Sequence, residues 1–550
     1  MKLHRLFSYV CIASLVSLLL TSCAPDKTVS QPAGLTYEPM KIAVTDCSYG
    51  GEIKSVESLD RYTVKFTLCQ PDAAFLAKMT SPIFAVQDKD YLDDTLGQTE
   101  LLSKGPNGTG PYLVKEWSRG NTITLETNPD HWGVPAKARN VVFEWYPTAK
   151  QRMSPVAIGV ANITENINLA DLPAVQRIRP VEVVFRPAYT LMYIGMNRDR
   201  KPFDDVNFRR AMASAFDREN LVQTLFPVGS SLAEQVVPLQ QRPGFTPGLN
   251  WHDFNPKSSG DYLSQSGFGL TQAIRLSFPR VNSPNYPNMV NLADALRIQL
   301  EQEGLLVQMN PMPEGEFRQA LEAGELSFFI DIIQAEYPDA SAFYSTLFAT
   351  NKKLLGSQNP ELTRLLKDAT AVLDESSRQE IYDQANRLIR EDAMVVPLAF
   401  LTSAVVYDTI VENVLVGSFN NNFADISTRN GRLVYVMSGE PLSLWPADEV
   451  DPNVFHISNL VYDNLVQVEP GGSEVVADLA DFWSANESLT EWTFNLRYGV
   501  RYSNDVDLDA NDVVASFEAI WNKASLNHNG RTGEFALFTK LFGEFAEITN

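Results

Sequence analysis

The alternation of hydrophobic and polar positions predicts its clearest elements near the end of the chain, within residues 478–521. Every second residue from Trp492 to Leu496 is apolar, which is the period of a strand with one buried face. Apolar residues then recur at helical spacing over 513–521, and Asp509 precedes them as a candidate N-cap. A strand and helix this well formed normally stand near the start of a domain, whereas here they close the chain.

A regular alternation of strand and helix is predicted over residues 271–333. The predicted strands are 273–278, 305–309 and 327–333, and the predicted helices are 290–300 and 316–321. This order predicts right-handed crossovers and an open α/β sheet, in which binding sites lie beyond the carboxyl ends of the strands. Two amphipathic helices are predicted to follow, over 362–373 and 381–390.

Several separate elements are predicted in the first third of the chain. The predicted elements are one strand over 59–68, a short helix over 73–79, and a hairpin over 112–117 and 122–127. Residues 24–40, which precede them, are rich in Pro, Ser, Thr and Gly and show no periodicity. We interpret that segment as a flexible tether.

The N-terminus has the features of an export signal. Two basic residues precede the short apolar run 6–20, and small residues lead to Cys23. A cysteine in this position resembles a bacterial lipoprotein signal, in which Cys23 receives the lipid and becomes the first residue; a plain signal peptide is the alternative. Export leads to an oxidising compartment, so Cys47 and Cys69 are candidates for a disulfide.

Composition and charge exclude several classes of function. A net charge of −22 over 550 residues argues against nucleic acid as a partner, because neutralising phosphates requires a basic surface. The five histidines and the cysteines show no metal-ligand spacing, and the G-x-S-x-G sequence of a hydrolase elbow is absent. We therefore expect no metal, no cofactor and no enzymatic activity.

Four short motifs carry a resemblance to a known family. They are Gly108-Thr109-Gly110-Pro111-Tyr112, the sequence NPDHWG at 128–133, a strand ending in Asn197 with the turn KPFDD at 201–205, and the helical sequences FRRAM at 208–212 and AFDR at 215–218. In this order and at these spacings they resemble the family 5 solute-binding proteins of ABC importers, the peptide-binding type. Arg209, Asp217 and Arg218 are most simply surface or interlobe ion pairs.

The resemblance implies an α/β, two-lobed, periplasmic-binding-protein-like fold with an enlarged first lobe. A cleft between the lobes closes on the ligand about a hinge, expected near 184–193 and 395–402. In the family, an acidic residue after the last strand of the second lobe holds the α-amino group of a peptide. Glu336 takes that position here, and its carboxylate reaches about one methylene further than an aspartate. The alternative is that Glu336 is only a polar loop residue.

Departures from the family pattern surround this position. The family usually has Trp, then Asp-Tyr-Pro-Asp-Pro, whereas this chain has Ile333, Glu336 and Ala340 at the first, second and last of these places. The loss of the Trp removes an aromatic wall. Further candidate ligand-binding residues are Tyr337, Asp339, Trp445, Trp483 and Asn197. Burial in a hydrophobic core explains the aromatic candidates equally well.

The order of the motifs predicts a circular permutation. A first strand over 432–436, the turn EPLSLWP at 440–446 and the segment 457–468 resemble the opening of a mature family member. The chain ends where the family continues into a strand like 59–68. No motif appears twice, and the chain is about one family member long, which favours permutation over two alternatives, a truncated tandem repeat and two unrelated domains.

The expected organisation follows from these assignments. It comprises a lipoprotein signal peptide (1–22), a tether (23–45), the second part of lobe I (46–188), lobe II (189–400) and a return to lobe I (401–550). We expect a monomer, anchored by lipid on Cys23 at the outer face of the cell membrane or in the periplasm. It would deliver a small solute, preferably a peptide, to the membrane subunits of an ABC importer. A lipid-anchored sensor or hydrolase is the alternative.

Overall fold

Three large β-sheets and the helices that cover them form most of the structure. The computed structural model describes residues 37–95, 98–269, 271–281, 283–349, 353–421, 423–530 and 533–548. The predicted signal peptide, Cys23 and most of the predicted tether lie outside the described residues. The described residues from Pro39 onward belong to one compact unit.

The strands of the described chain are numbered in sequence order. They are β1 (Lys41–Ala43), β2 (Ile53–Asp60), β3 (Thr63–Leu68), β4 (Tyr112–Ser118), β5 (Thr122–Thr127), β6 (Asn140–Trp145), β7 (Ile163–Glu165), β8 (Val181–Phe185), β9 (Thr190–Met196), β10 (Ser231–Leu232), β11 (Ala273–Pro279), β12 (Leu306–Met312), β13 (Phe328–Gln334), β14 (Val395–Leu401), β15 (Ala404–Asp408), β16 (Arg432–Met437), β17 (Val466–Val468), β18 (Val475–Ala477), β19 (Ala480–Ala485) and β20 (Glu491–Leu496).

The helices are numbered in the same way. They are α1 (Phe75–Met79), α2 (Lys89–Thr95), α3 (Thr99–Lys104), α4 (Ala149–Ala157), α5 (Leu172–Gln176), α6 (Val206–Ala215), α7 (Arg218–Leu225), α8 (Pro256–Ser266), α9 (Met289–Gln302), α10 (Glu314–Glu322), α11 (Ser341–Phe348), α12 (Pro360–Thr370), α13 (Glu375–Glu391), α14 (Pro452–Val461), α15 (Ala510–Trp521) and α16 (Ala536–Phe542).

The first sheet combines the two ends of the described chain. Its strand order is β1-β2-β3-β20-β19, so β20 lies between β3 and β19 and is antiparallel to both. The predicted alternation is confirmed in β20, where Trp492, Phe494 and Leu496 are buried. Trp492 is directly opposite Phe66 of β3 in the ladder. A single hydrophobic core is therefore built from residues at opposite ends of the sequence.

One strand of this sheet was predicted with the wrong boundaries. Residues 59–68 form the end of β2 and all of β3, joined by a turn at Arg61 and Tyr62. The carboxylate of Asp60 accepts a hydrogen bond from the backbone N–H of Tyr62 at 2.9 Å, which stabilises the turn. The turn contains no glycine or proline, so the alternation continues across it without a visible break.

Helix α15 covers the first sheet and confirms the predicted helix. Asp509 is its N-cap and forms a capping box with Asp512, which satisfies two of the unpaired N–H groups at the helix start. The ring of Phe517 packs edge-on against Phe66 with 4.8 Å between ring centres, and it stacks on Phe84 at 5.3 Å. These aromatic contacts fix the helix on the sheet.

The second sheet has the order β4-β5-β6-β16-β7-β15-β8 and confirms the predicted hairpin of β4 and β5. Strand β16 pairs in parallel with β6 and β7, so the C-terminal part of the chain again inserts among earlier strands.

The glycines of the GTGPY motif have a packing role. A Cβ atom on Gly108 would lie 2.0 Å from the carbonyl oxygen of Val461, at the end of α14. Only glycine permits this close approach.

The third sheet has the order β10-β14-β9-β13-β11-β12. The predicted strands and helices of residues 271–333 are confirmed as β11, α9, β12, α10 and β13. Strand β11 is parallel to β12 and β13, whereas β9 is antiparallel to β13 and β14, so the sheet is mixed. The predicted helices of residues 362–373 and 381–390 are α12 and α13.

Two arginines of α6 and α7 are buried, which the surface interpretation of the sequence missed. Arg209 donates to the carbonyl oxygens of Asp392 and Phe203, and Arg218 donates to those of Ala233 and Pro397. Arg218 also forms an ion pair with Glu234 at 3.3 Å, so ion pairing was predicted correctly for this residue but its burial was not. Burial of a guanidinium group is tolerated when its donors are satisfied in this way. The carboxylate of Asp217 accepts from the backbone N–H of Asn220 as the N-cap of α7.

The shared core of β3 and β20 predicts energetic coupling between distant parts of the sequence. The rings of Phe66 and Phe494 pack edge-to-face with 5.6 Å between their centres. We expect Phe66→Leu and Phe494→Leu to be non-additive, with a coupling free energy on the order of 0.5–1 kcal/mol in urea unfolding. As a control, Phe143 lies in a separate core of the second sheet, so Phe143→Leu should be additive with Phe66→Leu. Additivity of the first pair would contradict the shared core.

Candidate functional site

A cavity of about 1350 Å³ lies where elements of the three large sheets meet. The third sheet contributes the end of β13 and residues 283–288, and the second sheet contributes the end of β7 and the loop after it. Leu537 of α16 comes from the region of the first sheet. The aromatic lining residues are Tyr189, Phe226, Tyr286, Phe419, Phe423 and Phe455. Most of the polar lining side chains are amides and hydroxyls, which can both donate and accept hydrogen bonds, and a few are charged.

Two connections beside the cavity join the second sheet to the third. One runs from β8 to β9 and the other from β14 to β15. The backbone N–H of Arg186 in the first connection donates to the carbonyl oxygen of Ser403 in the second at 3.0 Å. The hydroxyl of Thr402 donates to the carbonyl oxygen of Arg186. Paired crossings of this kind are the usual place for a hinge.

A buried charge cluster stands on the cavity wall at these crossings. Glu165, the last residue of β7, accepts from the guanidinium group of Arg186 at 2.7 Å, and its second oxygen lies 2.7 Å from Nε2 of His456. Arg186 also donates to the carbonyl oxygen of Gly417 at 2.6 Å. Burial by itself would raise the pKa of Glu165, but His456 and Arg186 outweigh it and lower that pKa well below its usual value.

Arg152 of α4 adds a second cation to this wall. Its Nε donates to the carbonyl oxygen of Glu165 at 3.2 Å, and its Nη1 donates to those of Tyr146 and Pro147 at 2.9 and 3.0 Å. Its Nη2 donates to the carbonyl oxygen of Asn166. Both cavity arginines are therefore bonded to protein acceptors on several sides. Their role in the structure is to fix the shape of the wall.

Glu336 lies on the cavity wall, two residues after the end of β13. One of its carboxylate oxygens accepts from the ammonium group of Lys540, which belongs to α16 on the first-sheet side of the cavity. The Glu336 side chain is 27 % exposed and that of Lys540 is 43 % exposed. The predicted position of Glu336 at the end of a strand agrees with this placement, whereas its role in ligand binding stays a prediction.

Two further candidate ligand-binding residues, Tyr337 and Asp339, are buried in the protein interior. Asp339 is buried and forms a two-bond ion pair with Arg378 of α13, at 2.7 and 2.8 Å. Burial would raise the pKa of Asp339, but the Arg378 guanidinium lowers it below the usual value. Tyr337 is buried, and this burial raises its pKa to about 12. Neither side chain is among the described residues that line the cavity.

The remaining candidates also lie away from the described cavity lining. Trp445 is buried and packs edge-on against Phe535 at 5.8 Å. Trp483 of β19 packs against the large core. The side-chain amide of Asn197 donates to the carbonyl oxygens of Gly324 and Lys353 at 3.2 and 3.3 Å. These contacts give all three residues a structural role.

Sequence patterns did not identify the charge cluster. Arg152, Glu165, Arg186 and His456 come from four separate segments, and no spacing connects them. One signal was present, because Arg186 is a charged residue within the segment predicted to be a hinge.

Cys47 and Cys69 are joined by a disulfide, with 5.7 Å between their Cα atoms. The described residues contain no group of three or more His, Cys, Asp or Glu side chains arranged to hold a metal ion.

A sequence profile of the bacterial extracellular solute-binding proteins, family 5 Middle, matches residues 23–354 and 474–540. The chain belongs to this family. Membership of a family of extracellular proteins supports export of the chain. Among the helices of the described part, none is both long enough and apolar enough to cross a membrane.

Relatives of this family 5 protein include named peptide-binding proteins. Di/tripeptide-binding protein 3 of Pseudomonas aeruginosa (strain UCBPP-PA14) is 25% identical over 386 residues, which cover 69% of this chain and 72% of the relative. The dipeptide-binding protein of Escherichia coli (strain K12) is 22% identical over 369 residues, covering 66% of this chain and 68% of the relative. These relatives are solute-binding proteins rather than enzymes.

Solved structures of similar proteins have the same two-lobed fold. HbpA2 from Haemophilus parasuis matches with a TM-score of 0.62 and 22% identity, covering 69% of this chain and 76% of that one. The dipeptide-binding protein from Pseudoalteromonas sp. SM9913, in complex with Met-Leu, matches with a TM-score of 0.57 and 22% identity over 69% and 76% of the chains. The predicted family and the predicted two-lobed α/β fold are thus confirmed.

The charge cluster predicts a pH-dependent contribution to stability. Because the pKa of Glu165 is lower in the folded protein than in the unfolded chain, its ionised form stabilises the fold above about pH 4.3. That stabilisation is lost as the pH falls from there toward the folded-state pKa. We expect Glu165→Gln to lower the free energy of unfolding by about 3 kcal/mol at pH 7, because it leaves Arg186 buried without its counter-charge.

At pH 3, the free energy of unfolding of Glu165→Gln should differ less from that of the wild type than it does at pH 7. Urea unfolding at both pH values measures it. Glu126→Gln is a suitable control, because Glu126 forms an exposed ion pair with Lys115 in the same sheet. The control should differ little from the wild type at either pH. If Glu165→Gln lowers the free energy of unfolding by the same amount at pH 7 and pH 3, the stabilisation does not come from the charge of Glu165.

Proposed function

We propose that this protein is the solute-binding component of an ABC importer and captures a peptide in the cavity between its two lobes. The observation that carries the proposal is the cavity of about 1350 Å³ beside two hinge crossings, with Glu336 on its wall. A site between two bodies that move about a hinge encloses a ligand on closure. The relatives named as dipeptide- and tripeptide-binding proteins support a peptide as the ligand.

The lining of the cavity supports a peptide over a small ion. Its volume exceeds the range of roughly 300–1,000 Å³ that is usual for drug-sized ligands, so it has room for several residues. Peptide amides need donors and acceptors along their length, and the many amide and hydroxyl side chains of the lining supply both. Aromatic side chains such as Tyr286 and Phe419 provide surfaces for ligand side chains.

Glu336 is proposed to bind the ammonium group at the N-terminus of the peptide. Its carboxylate is partly exposed on the cavity wall, and it follows β13, as the acidic anchor does in the peptide-binding members of the family. A carboxylate and an ammonium group form a charge-assisted hydrogen bond, which is roughly twice as strong as a neutral one. Both cavity arginines are occupied by protein acceptors, so the peptide carboxylate is proposed to have no fixed cationic anchor in them.

Anchoring and delivery complete the proposal. The lipid on Cys23 would hold the protein at the outer face of the cell membrane or in the periplasm, where it acts as a monomer. The closed form would then deliver the peptide to the membrane subunits of the importer. Cys23 lies outside the described residues, and the basis for its lipidation is the sequence around it.

We further propose that the chain is a circular permutation of the family fold, with the residue boundaries 46–188, 189–400 and 401–550 for the successive parts of the two lobes. The placement of β20 between β3 and β19 supports it, as does the match of the family profile in two separate segments. The two segments that the permutation would have separated, around residues 49 and 546, also lie close together, because both contact Trp521. The backbone N–H of Ala546 donates to the carbonyl oxygen of Trp521 at 3.0 Å, and the ring centre of Tyr49 lies 6.1 Å from that of Trp521.

A rearranged chain tests the permutation. It would begin at Gly431, continue to residue 548, pass through a short Gly/Ser linker to residue 46, and end at residue 430. We expect it to fold with an unfolding midpoint within a few degrees of the wild type, because residue 46, where the linker enters, and residue 430, at the new terminus, are both exposed. A control chain opened within β13 should not fold, since that strand is interior to the third sheet. A rearranged chain that unfolds in two separate transitions would instead favour a truncated tandem.

Glu336→Gln tests the ligand and its anchor. We expect the variant to bind trialanine about tenfold more weakly than the wild type in isothermal titration calorimetry, because a neutral amide loses the charge-assisted bond. N-acetyl-trialanine should bind both proteins equally. Glu547→Gln is the matched control, because Glu547 forms an exposed ion pair with Lys523 away from the described cavity lining. Equal losses for both peptides would remove the anchoring role of Glu336.

A further inference from the structure

The carboxylate proposed to bind the ligand is already paired within the protein. Glu336 accepts a hydrogen bond from the ammonium group of Lys540; Glu336 follows β13 of the third sheet, and Lys540 belongs to helix α16. Leu537 stands three positions before Lys540 on α16 and lines the same cavity. Residues three apart share a helix face, so Lys540 lies on the same face of α16 as the lining residue Leu537.

The ammonium group of lysine and the α-ammonium group of a peptide are chemically alike. Each carries a positive charge and three N–H donors, and each forms its strongest bond with a carboxylate. Two such groups cannot occupy the same carboxylate oxygen at once. A free-amine ligand that reaches Glu336 must therefore replace Lys540 or share the carboxylate with it, at the cost of repulsion between the two positive charges.

The pair is accessible enough to be replaced. Both side chains are partly exposed, and an exposed ion pair contributes little free energy because water and salt screen it. The pair of Glu165 and Arg186 differs in this respect, since both side chains are nearly buried, at 8 % and 12 % exposure. Breaking a buried pair is far more costly. Of these two pairs in the cavity wall, the one at Glu336 is suited to exchange.

We propose that Lys540 is a specificity-determining residue that competes with the amino group of the ligand for Glu336. This inference rests on the proposed function of Glu336 as the ammonium anchor. Lys540 lowers the affinity for every ligand with a free amino group and leaves ligands without one unaffected. It therefore reduces the difference in affinity between peptides with a free amino group and N-blocked peptides. When the cavity holds no ligand, it neutralises the charge of Glu336.

Lys540→Met tests the proposal, because methionine keeps much of the side-chain length and removes the charge. We expect the variant to bind trialanine about two- to fivefold more tightly than the wild type in isothermal titration calorimetry, in keeping with the modest strength of an exposed ion pair. The affinity for N-acetyl-trialanine should be unchanged. In the background of Glu336→Gln, Lys540→Met should have no effect on either peptide.

The control is Lys523→Met, which removes the lysine of the exposed pair with Glu547 and should leave both affinities unchanged. Trialanine binding that is equal in Lys540→Met and the wild type would overturn the inference alone. Weaker binding of trialanine by Lys540→Met would also overturn the inference, because it would show that Lys540 contacts the ligand or holds the cavity closed around it. If trialanine binds to neither protein, both the inference and the proposed function are overturned.

Discussion

The pairing of β3 with β20 is the interaction on which the rest of the structure depends. It joins Thr67 to Glu491 and carries the packing of Phe66 against Phe494 and Phe517. Without it, the first sheet would divide into a three-stranded part (β1, β2 and β3) and a hairpin (β19 and β20), and α15 would have no complete face to cover. Helix α16, which brings Leu537 and Lys540 to the cavity, follows in the same C-terminal segment. The cavity lining therefore includes a residue of the C-terminal segment that this strand pairing holds in the first sheet.

Charges in the cavity wall divide into two kinds according to their burial. The cluster of Glu165, Arg186 and His456 is bonded on several sides and closely linked to the crossings between the second and third sheets. Such groups maintain geometry, because the loss of any partner leaves an uncompensated charge in a poorly solvated place. Glu336 and Lys540 are partly solvated, and each can change partner at little cost. Rigid and exchangeable charges thus stand side by side in one site.

Much of the fold was predictable because its elements have strong periodicity. Strand β20, helix α15 and the alternating elements from β11 to β13 follow directly from hydrophobic spacing. The β2–β3 turn was missed because it contains neither glycine nor proline. The burial of Arg209 and Arg218 was missed because carbonyl oxygens from other segments satisfy them. In the site, the position of Glu336 after a strand was predictable, whereas the pairing of Asp339 with Arg378 and the charge cluster depend on contacts between segments without a common pattern.

The long separation between paired segments has a consequence for biogenesis. The backbone N–H of Gln87 bonds to the hydroxyl of Ser516, 429 positions later, and that of Met40 bonds to the side chain of Asn511, 471 positions later. As the chain emerges from a translocation channel, the β2–β3 hairpin appears long before its partner strand β20. Until then β3 presents an open edge, which is prone to pairing with other chains. The first sheet is therefore complete only after β20 has followed β3 across the membrane.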